Sequence, residues 1–216
     1  MSKKTIWNML KAKGFSDTAA AAIMGNMEAE SNCVSIRLQG DFSVDYQKSK
    51  DYTERVDSGI IGKRDFVYNG PGGGGYGLCQ WTYWSRKDGL YDLAKFQGAS
   101  IGDEAIQVEW LYQELHQDEY RSVLNTLLNT EDIRMCSDAL LKKFFRPADQ
   151  SDAVCVQRAK YGKDFYNEFA GGQAEDPDGQ PDMIQITAEE YKNCMEAMNV
   201  LAYLKDAIKT LEEFQL

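Results

Sequence analysis

Ala22-Ile23-Met24-Gly25-Asn26-Met27-Glu28-Ala29-Glu30-Ser31 is the stretch on which the fold turns. It closes an alanine-rich segment that starts at Asp17, and alanine is the strongest helix former. On that helix Ile23, Met27 and Glu30 stand at i, i+4 and i+7 and share one face. Glu30 therefore ends an apolar stripe where the chain leaves the helix. A carboxyl partly withdrawn from water at such a place is the setting of a general acid. Glu28 lies about 200° around the helix from Glu30, so the two form no pair on a common face. The plainer reading of Glu30 is a solvated charge at a helix end.

Upstream, Lys3–Lys13 carries Ile6, Trp7 and Leu10 at helical spacing. Gly14 is placed to stop that helix, and Ser16 to cap the next one. Downstream, from Ser31 to Trp84, polar, β-branched and turn-forming residues mix, and the expectation is a small irregular β-sheet with long loops. The run Gly70-Pro71-Gly72-Gly73-Gly74-Gly75 predicts a flexible loop and lacks the Gly-Lys-Ser/Thr of a phosphate loop. Helical spacing returns near Arg86 in four sets: Leu90, Leu93, Phe96; Ile106, Trp110, Leu111; Val123, Leu124, Leu127, Leu128; and Ile133, Cys136, Leu140, Phe144. Asp103 and Thr130 are expected caps, and a last helix is expected over Ser151–Phe169. The fold class predicted is α+β, mostly α, with a C-terminal amphipathic helix appended.

The organisation expected is a domain over 1–170, a linker over 171–182 and a C-terminal helix over 183–216. The linker is rich in Gly, Pro and Asp. In the tail, Tyr191, Cys194, Met198, Leu201, Leu204, Ile208 and Leu211 follow a heptad-like stripe. The stripe suits docking on the main domain or homo-oligomer formation through residues 187–214. Of a net charge of −10, seven units fall in residues 173–216, where three Lys+Arg face ten Asp+Glu. No basic face suggests a nucleic-acid partner.

Other classes are excluded in turn. The single histidine, His116, removes most zinc hydrolases, and no metal site or cofactor is expected. Five cysteines at irregular spacing, with no CxxC, argue against a disulfide framework. No apolar run approaches the roughly 18 residues of a membrane span, so no membrane insertion is expected. The lysines near the N-terminus precede no apolar core, so no signal peptide is read there.

A second stretch, Gly75-Tyr76-Gly77-Leu78-Cys79-Gln80-Trp81-Thr82-Tyr83-Trp84-Ser85-Arg86, combines glycines with four aromatic rings. Glycine lets backbone approach a ligand closely, and sugar rings stack on aromatic faces. The competing reading makes Trp81 and Trp84 core residues at a helix start.

Glu30-Ser31 followed by Gly77-Leu78-Cys79-Gln80 resembles the phage tail-tip lysozyme and endolysin family, and more broadly the lytic transglycosylases. The resemblance continues through Val56-Asp57-Ser58-Gly59, Tyr83-Trp84-Ser85-Arg86-Lys87, Phe145-Arg146-Pro147-Ala148-Asp149-Gln150 and Arg158-Ala159-x-Tyr161-Gly162, covering roughly residues 3–170. It implies a lysozyme-like fold and cleavage of the β-1,4 bond between N-acetylmuramic acid and N-acetylglucosamine, with bacterial peptidoglycan as the partner. It implies Glu30 as catalytic acid and a glycan cleft lined by Tyr76, Gly77, Leu78, Gln80 and Trp81. Cys79 departs from the small or apolar residue expected there, and the glycine run enlarges the preceding loop.

Glycosidases usually use two carboxyls. Asp57, Asp41 and Asp45 follow Glu30, and Asp57, in an Asp-Ser-Gly turn, is the favoured second group. A turn aspartate bonding its own backbone is the alternative. A lytic transglycosylase would instead use Glu30 alone. A Cys79/His116 pair acting on the peptide stems is a third reading. The absence of a leader suggests an endolysin held in the host cytoplasm before lysis.

Overall fold

The computed structural model describes residues 2–43, 45–68 and 74–170. The expected linker, the C-terminal helix, its oligomerisation stripe and most of the glycine run lie outside them. Among the described residues the order is α1 (Lys3–Ala12), α2 (Asp17–Ser31), α3 (Gln47–Asp57), α4 (Lys63–Tyr68), α5 (Trp84–Phe96), α6 (Glu104–Leu115), α7 (Arg121–Asn129), α8 (Ile133–Ala139) and α9 (Asp152–Phe169). A 3₁₀ turn, Asp118–Tyr120, precedes α7, and a π-helical turn, Leu140–Phe145, continues α8.

The core is built around α2. From Thr18 to Met27 every residue of that helix is buried. A helix apolar on all sides is an interior helix, so the single stripe expected from Ile23 and Met27 understates its burial. Its start is as predicted: the Ser16 side chain accepts from the Ala19 N–H at 3.1 Å. Gly14, at φ +85°, takes the chain out of α1 in the left-handed region that suits glycine.

α9 is the principal neighbour of α2. Small residues let the two backbones meet. A Cβ added to Gly25 would lie 2.5 Å from the Arg158 carbonyl oxygen and 2.5 Å from the Gly162 nitrogen. α1 seals the outer side, with the Trp7 ring 5.6 Å from that of Phe169.

The expected small β-sheet is not present among the described residues. Two isolated antiparallel bridges, Leu38 with Tyr76 and Tyr76 with Trp81, stand in its place. Part of the segment is helical instead, in α3 and α4, and the rest is turns and irregular chain. α3 buries Ser49, Tyr52, Thr53 and Val56 and exposes charge elsewhere, so it reads as polar sequence. It starts at Tyr46 in a left-handed conformation with no side-chain cap, so no start signal marks it.

Two smaller corrections concern α7 and α8. Thr130 ends α7, and it is Asp132 that caps α8 by accepting from Arg134 and Met135. Phe96 and Leu128, expected in the core, are exposed. The four described cysteines, Cys33, Cys79, Cys136 and Cys155, are free and buried. No helix of the described residues is long and apolar enough to cross a membrane.

Candidate active site

Glu30 sits in the last turn of α2, where the buried helix reaches the surface. Its side chain is 18% exposed. Its neighbour on the chain, Glu28, points elsewhere and is paired with Lys3 of α1 at 2.7 Å. The Glu30 carboxylate is partly withdrawn from water, and it is also paired. Arg158 of α9 donates through Nη1 to Glu30 Oε1 at 2.7 Å and to Asn26 Oδ1 at 3.2 Å. Arg158 is itself buried. Glu30 Oε2 accepts no hydrogen bond from the described residues.

Asn26 ties this pair to the rest of the bundle. Its amide donates to the Ala22 carbonyl at 3.0 Å and to Ser137 Oγ of α8 at 3.1 Å. Three helices are therefore linked in one chain of bonds that ends on Glu30: Ser137 of α8 to Asn26 of α2, Asn26 to Arg158 of α9, and Arg158 to Glu30 Oε1. Beyond Ser31 the chain turns sharply, with Asn32 at φ 56° and Cys33 at φ 57°. Two successive non-glycine residues in the left-handed region are uncommon, and such strain gathers at functional sites. Gln80 (φ 47°) and Arg146 (φ 49°) share that conformation.

The second motif is bonded directly to the first. Ser31 Oγ lies 2.9 Å from the Leu78 carbonyl oxygen and 3.0 Å from that of Met27. The Tyr76–Trp81 turn closes on itself, with Tyr76 N–H donating to Trp81 O at 3.2 Å and Trp81 N–H to Tyr76 O at 3.0 Å. Gly77, at φ +77°, leaves no room for a Cβ, which would meet Gln107 Oε1 at 2.6 Å. That fully buried glutamine of α6 accepts from Leu78 N–H at 2.8 Å and donates to the carbonyls of Ser35 and Ile101. It braces the turn from below.

The residues expected to line a cleft thus divide into two groups. The side chains of Tyr76, Leu78 and Trp81 are fully buried. Tyr76 bonds Thr53 through its hydroxyl, and Trp81 donates to Glu114 Oε2 at 2.6 Å. Burial pushes the Glu114 carboxyl up, while the Arg86 guanidinium and the Trp81 N–H pull it back. Gln80 alone of the five keeps a partly exposed side chain, donating to the Arg37 and Gly77 carbonyls. It borders a cavity of about 680 Å³ whose walls include Tyr83, Arg86, Tyr120, Phe144 and Arg146. The π-helical turn supplies Phe144, and π turns often mark functional sites.

A larger cavity, about 1070 Å³, is lined by Lys11, Asp17, Ile133, Lys160 and Tyr166. Asp17 begins α2 and Glu30 nearly ends it, roughly 20 Å away at 1.5 Å per residue. That cavity is therefore no part of the Glu30 site.

The three aspartates considered as a second carboxyl are all engaged locally. Asp41 accepts from the backbone and hydroxyls of Ser43 and Ser49, and these bonds hold its carboxyl well below the usual range. Asp45 accepts from Gln47 N–H at 3.2 Å. Asp57 ends α3, accepting from Ser100 Oγ and from Ile101 N–H at 3.0 Å, so it clamps the loop before α6. Cys79 and His116 form no hydrogen bond with each other. The thiol is buried and pushed up by burial, and the imidazole Nδ1 lies 2.8 Å from the Tyr112 carbonyl.

A half-buried glutamate thus ends the central helix and is joined through the next serine to a glycine-rich turn. Residues 2–169 match the phage tail lysozyme family, and the chain belongs to that family. Membership implies a peptidoglycan hydrolase of bacteriophage type. No curated protein matches the chain.

Arg158, Asn26, Ser137, Gln107 and Glu114 were not recognised as site residues from the sequence. Arg158 had a signal, since it opens the Arg-Ala-x-Tyr-Gly motif, but its partner lies 128 positions away.

Proposed function

We propose that the chain cleaves the β-1,4 bond between N-acetylmuramic acid and N-acetylglucosamine, with Glu30 as the general acid. The observation that carries this reading is the asymmetry of the Glu30 carboxyl. One oxygen is held by Arg158, and the other accepts no hydrogen bond from the described residues. A carboxyl fixed in this way can present a proton from Oε2 to the bridging oxygen as the bond to the sugar's anomeric carbon breaks. Water then takes the anomeric carbon, and its proton returns to the same carboxylate.

The engagement of Asp41, Asp45 and Asp57 favours a second reading beside hydrolysis. A single glutamate serving as acid and then base would let the muramyl 6-hydroxyl attack in place of water, leaving a 1,6-anhydro end. Asp57 then acts as the clamp of the α3–α6 loop, and the peptide-cutting Cys79/His116 reading has no geometric support.

Digestion of purified peptidoglycan, with mass spectrometry of the fragments, separates these outcomes. Reducing muramyl ends support hydrolysis, anhydro ends support the transglycosylase, and new free amino termini would refute both. Glu30→Gln should lower cleavage on the order of 10²–10⁴-fold with an unchanged circular dichroism spectrum. Wild-type turnover by that folded variant would end the assignment.

A further inference from the structure

Tyr68, Tyr83 and Trp84 are large aromatic side chains left exposed on adjoining elements, α4 and the start of α5. They are in mutual contact. The Tyr68 and Trp84 rings stack with centroids 6.2 Å apart and 18° between planes, and Tyr83 lies 5.9 Å from Trp84. Of the four tryptophans, Trp7 and Trp81 are buried and Trp110 is partly buried, so Trp84 is the most exposed. The group is continuous with the cavity beside the Tyr76–Trp81 turn, because Tyr83 lines that cavity together with Gln80, Thr82 and Ser85.

This arrangement matches one ligand chemistry. A pyranose presents an apolar face of C–H groups and a rim of hydroxyls. The face packs on an aromatic ring, and the rim bonds exposed hydroxyl groups such as those of Thr82 and Ser85. Stacking on Tyr68 fixes the Trp84 ring before any ligand arrives, and preorganisation of this kind lowers the cost of binding. Trp84 is thus the platform, Tyr68 its support and Tyr83 the link to the cavity.

We propose that Tyr68, Trp84 and Tyr83 form a stacking strip that holds sugars of the glycan strand beyond the cavity bordered by Gln80. The proposal rests on the reading that the enzyme cuts glycan strands, and it adds a binding site for the part of the strand not being cut. The strip acts on affinity for long strands, and the chemical step at Glu30 is independent of it.

The test uses the full chain carrying Glu30→Gln, which binds without turnover, and glycan strands stripped of peptide. Co-sedimentation and tryptophan fluorescence measure binding. Adding Trp84→Ala should weaken binding about five- to tenfold, the scale of one aromatic contact. Trp84→Phe should restore most of it. In the active chain, Trp84→Ala should raise KM on long strands and leave kcat unchanged, with an unaltered thermal transition. Equal binding and equal KM for Trp84→Ala would overturn the strip while leaving Glu30 chemistry in place. Weaker binding seen only on peptide-bearing peptidoglycan would also overturn it. If the wild-type chain makes no glycosidic ends at all, the functional reading fails and the strip falls with it.

Discussion

Arg158 is the residue on which the Glu30 geometry depends. Its guanidinium reaches Asn26 and Glu30 through a single nitrogen, and the residue is buried. A lysine has one compact charge and cannot reproduce a planar group locked in this way. Arg158→Gln should therefore lower kcat on the order of 10²-fold, the cost of a misplaced catalytic group, with KM nearly unchanged. Arg158→Lys should fall between. Steady-state kinetics on soluble glycan fragments check the split, and a change confined to KM would contradict the positioning role. Removing one partner of a buried pair also costs about 3 kcal/mol of stability, which urea denaturation would show.

At the scale of elements, the α2–α9 crossing sets how closely Arg158 approaches Glu30. Gly25→Ala places a methyl group against the Arg158 carbonyl and Gly162 backbone, neither of which can swing aside. The helices must part. The loss of stability should be about 1–3 kcal/mol, despite the better helix propensity of alanine, and activity should fall with it. Gly62→Ala, which meets open space, is the control and should change little. Equal denaturation midpoints for Gly25→Ala and wild type would show that the crossing tolerates separation.

Those elements were not equally legible. α2 could be read because its apolar run is long and Ser16 marks its start. α6 could be read because Asp103 caps it by accepting from Ala105 and Ile106. α3 could not, since a polar helix anchored by a few side chains shows no sustained period and begins without a cap. Reading residues 31–84 as a small irregular sheet with long loops followed from the same ambiguity: Tyr52, Thr53 and Val56 suit strands by composition, while in α3 the Tyr52 ring packs near Phe66 and Tyr76. In the site, Glu30 was legible as the end of a buried helix. The burial of Tyr76, Leu78 and Trp81 was not, because an aromatic and glycine-rich turn reads alike whether its rings face a ligand or the core. Long-range partners such as Arg158 and Gln107 leave no local pattern.

For the molecule as a whole, Lys87 makes stability depend on alkaline pH. It is a fully buried cation over the Phe66 ring, 4.7 Å from the centroid, and burial lowers its pKa from 10.5 to about 8. Between those values the unfolded chain binds more protons than the folded one, so this group makes stability rise with pH from about 8 to 10.5. Below about 8 both states are protonated, and the penalty is constant. Lys87→Met should remove the rise and stabilise the protein at pH 7 by about 1–3 kcal/mol. Urea midpoints of both proteins at pH 7 and pH 10 test this. A wild-type-minus-variant difference that does not shrink as pH rises would contradict it.

The enclosed cysteines carry a different consequence. Burial raises the thiols of Cys33, Cys79, Cys136 and Cys155 above their ordinary value. A protonated, sheltered thiol neither attacks disulfides nor takes up oxidants readily, because thiolate character and access govern both reactions. Cys79 occupies the very turn that carries Gln80, yet it offers no handle to glutathione, oxygen or an alkylating agent while the fold holds. The four described thiols therefore give the folded domain no ready route to thiol-based redox control.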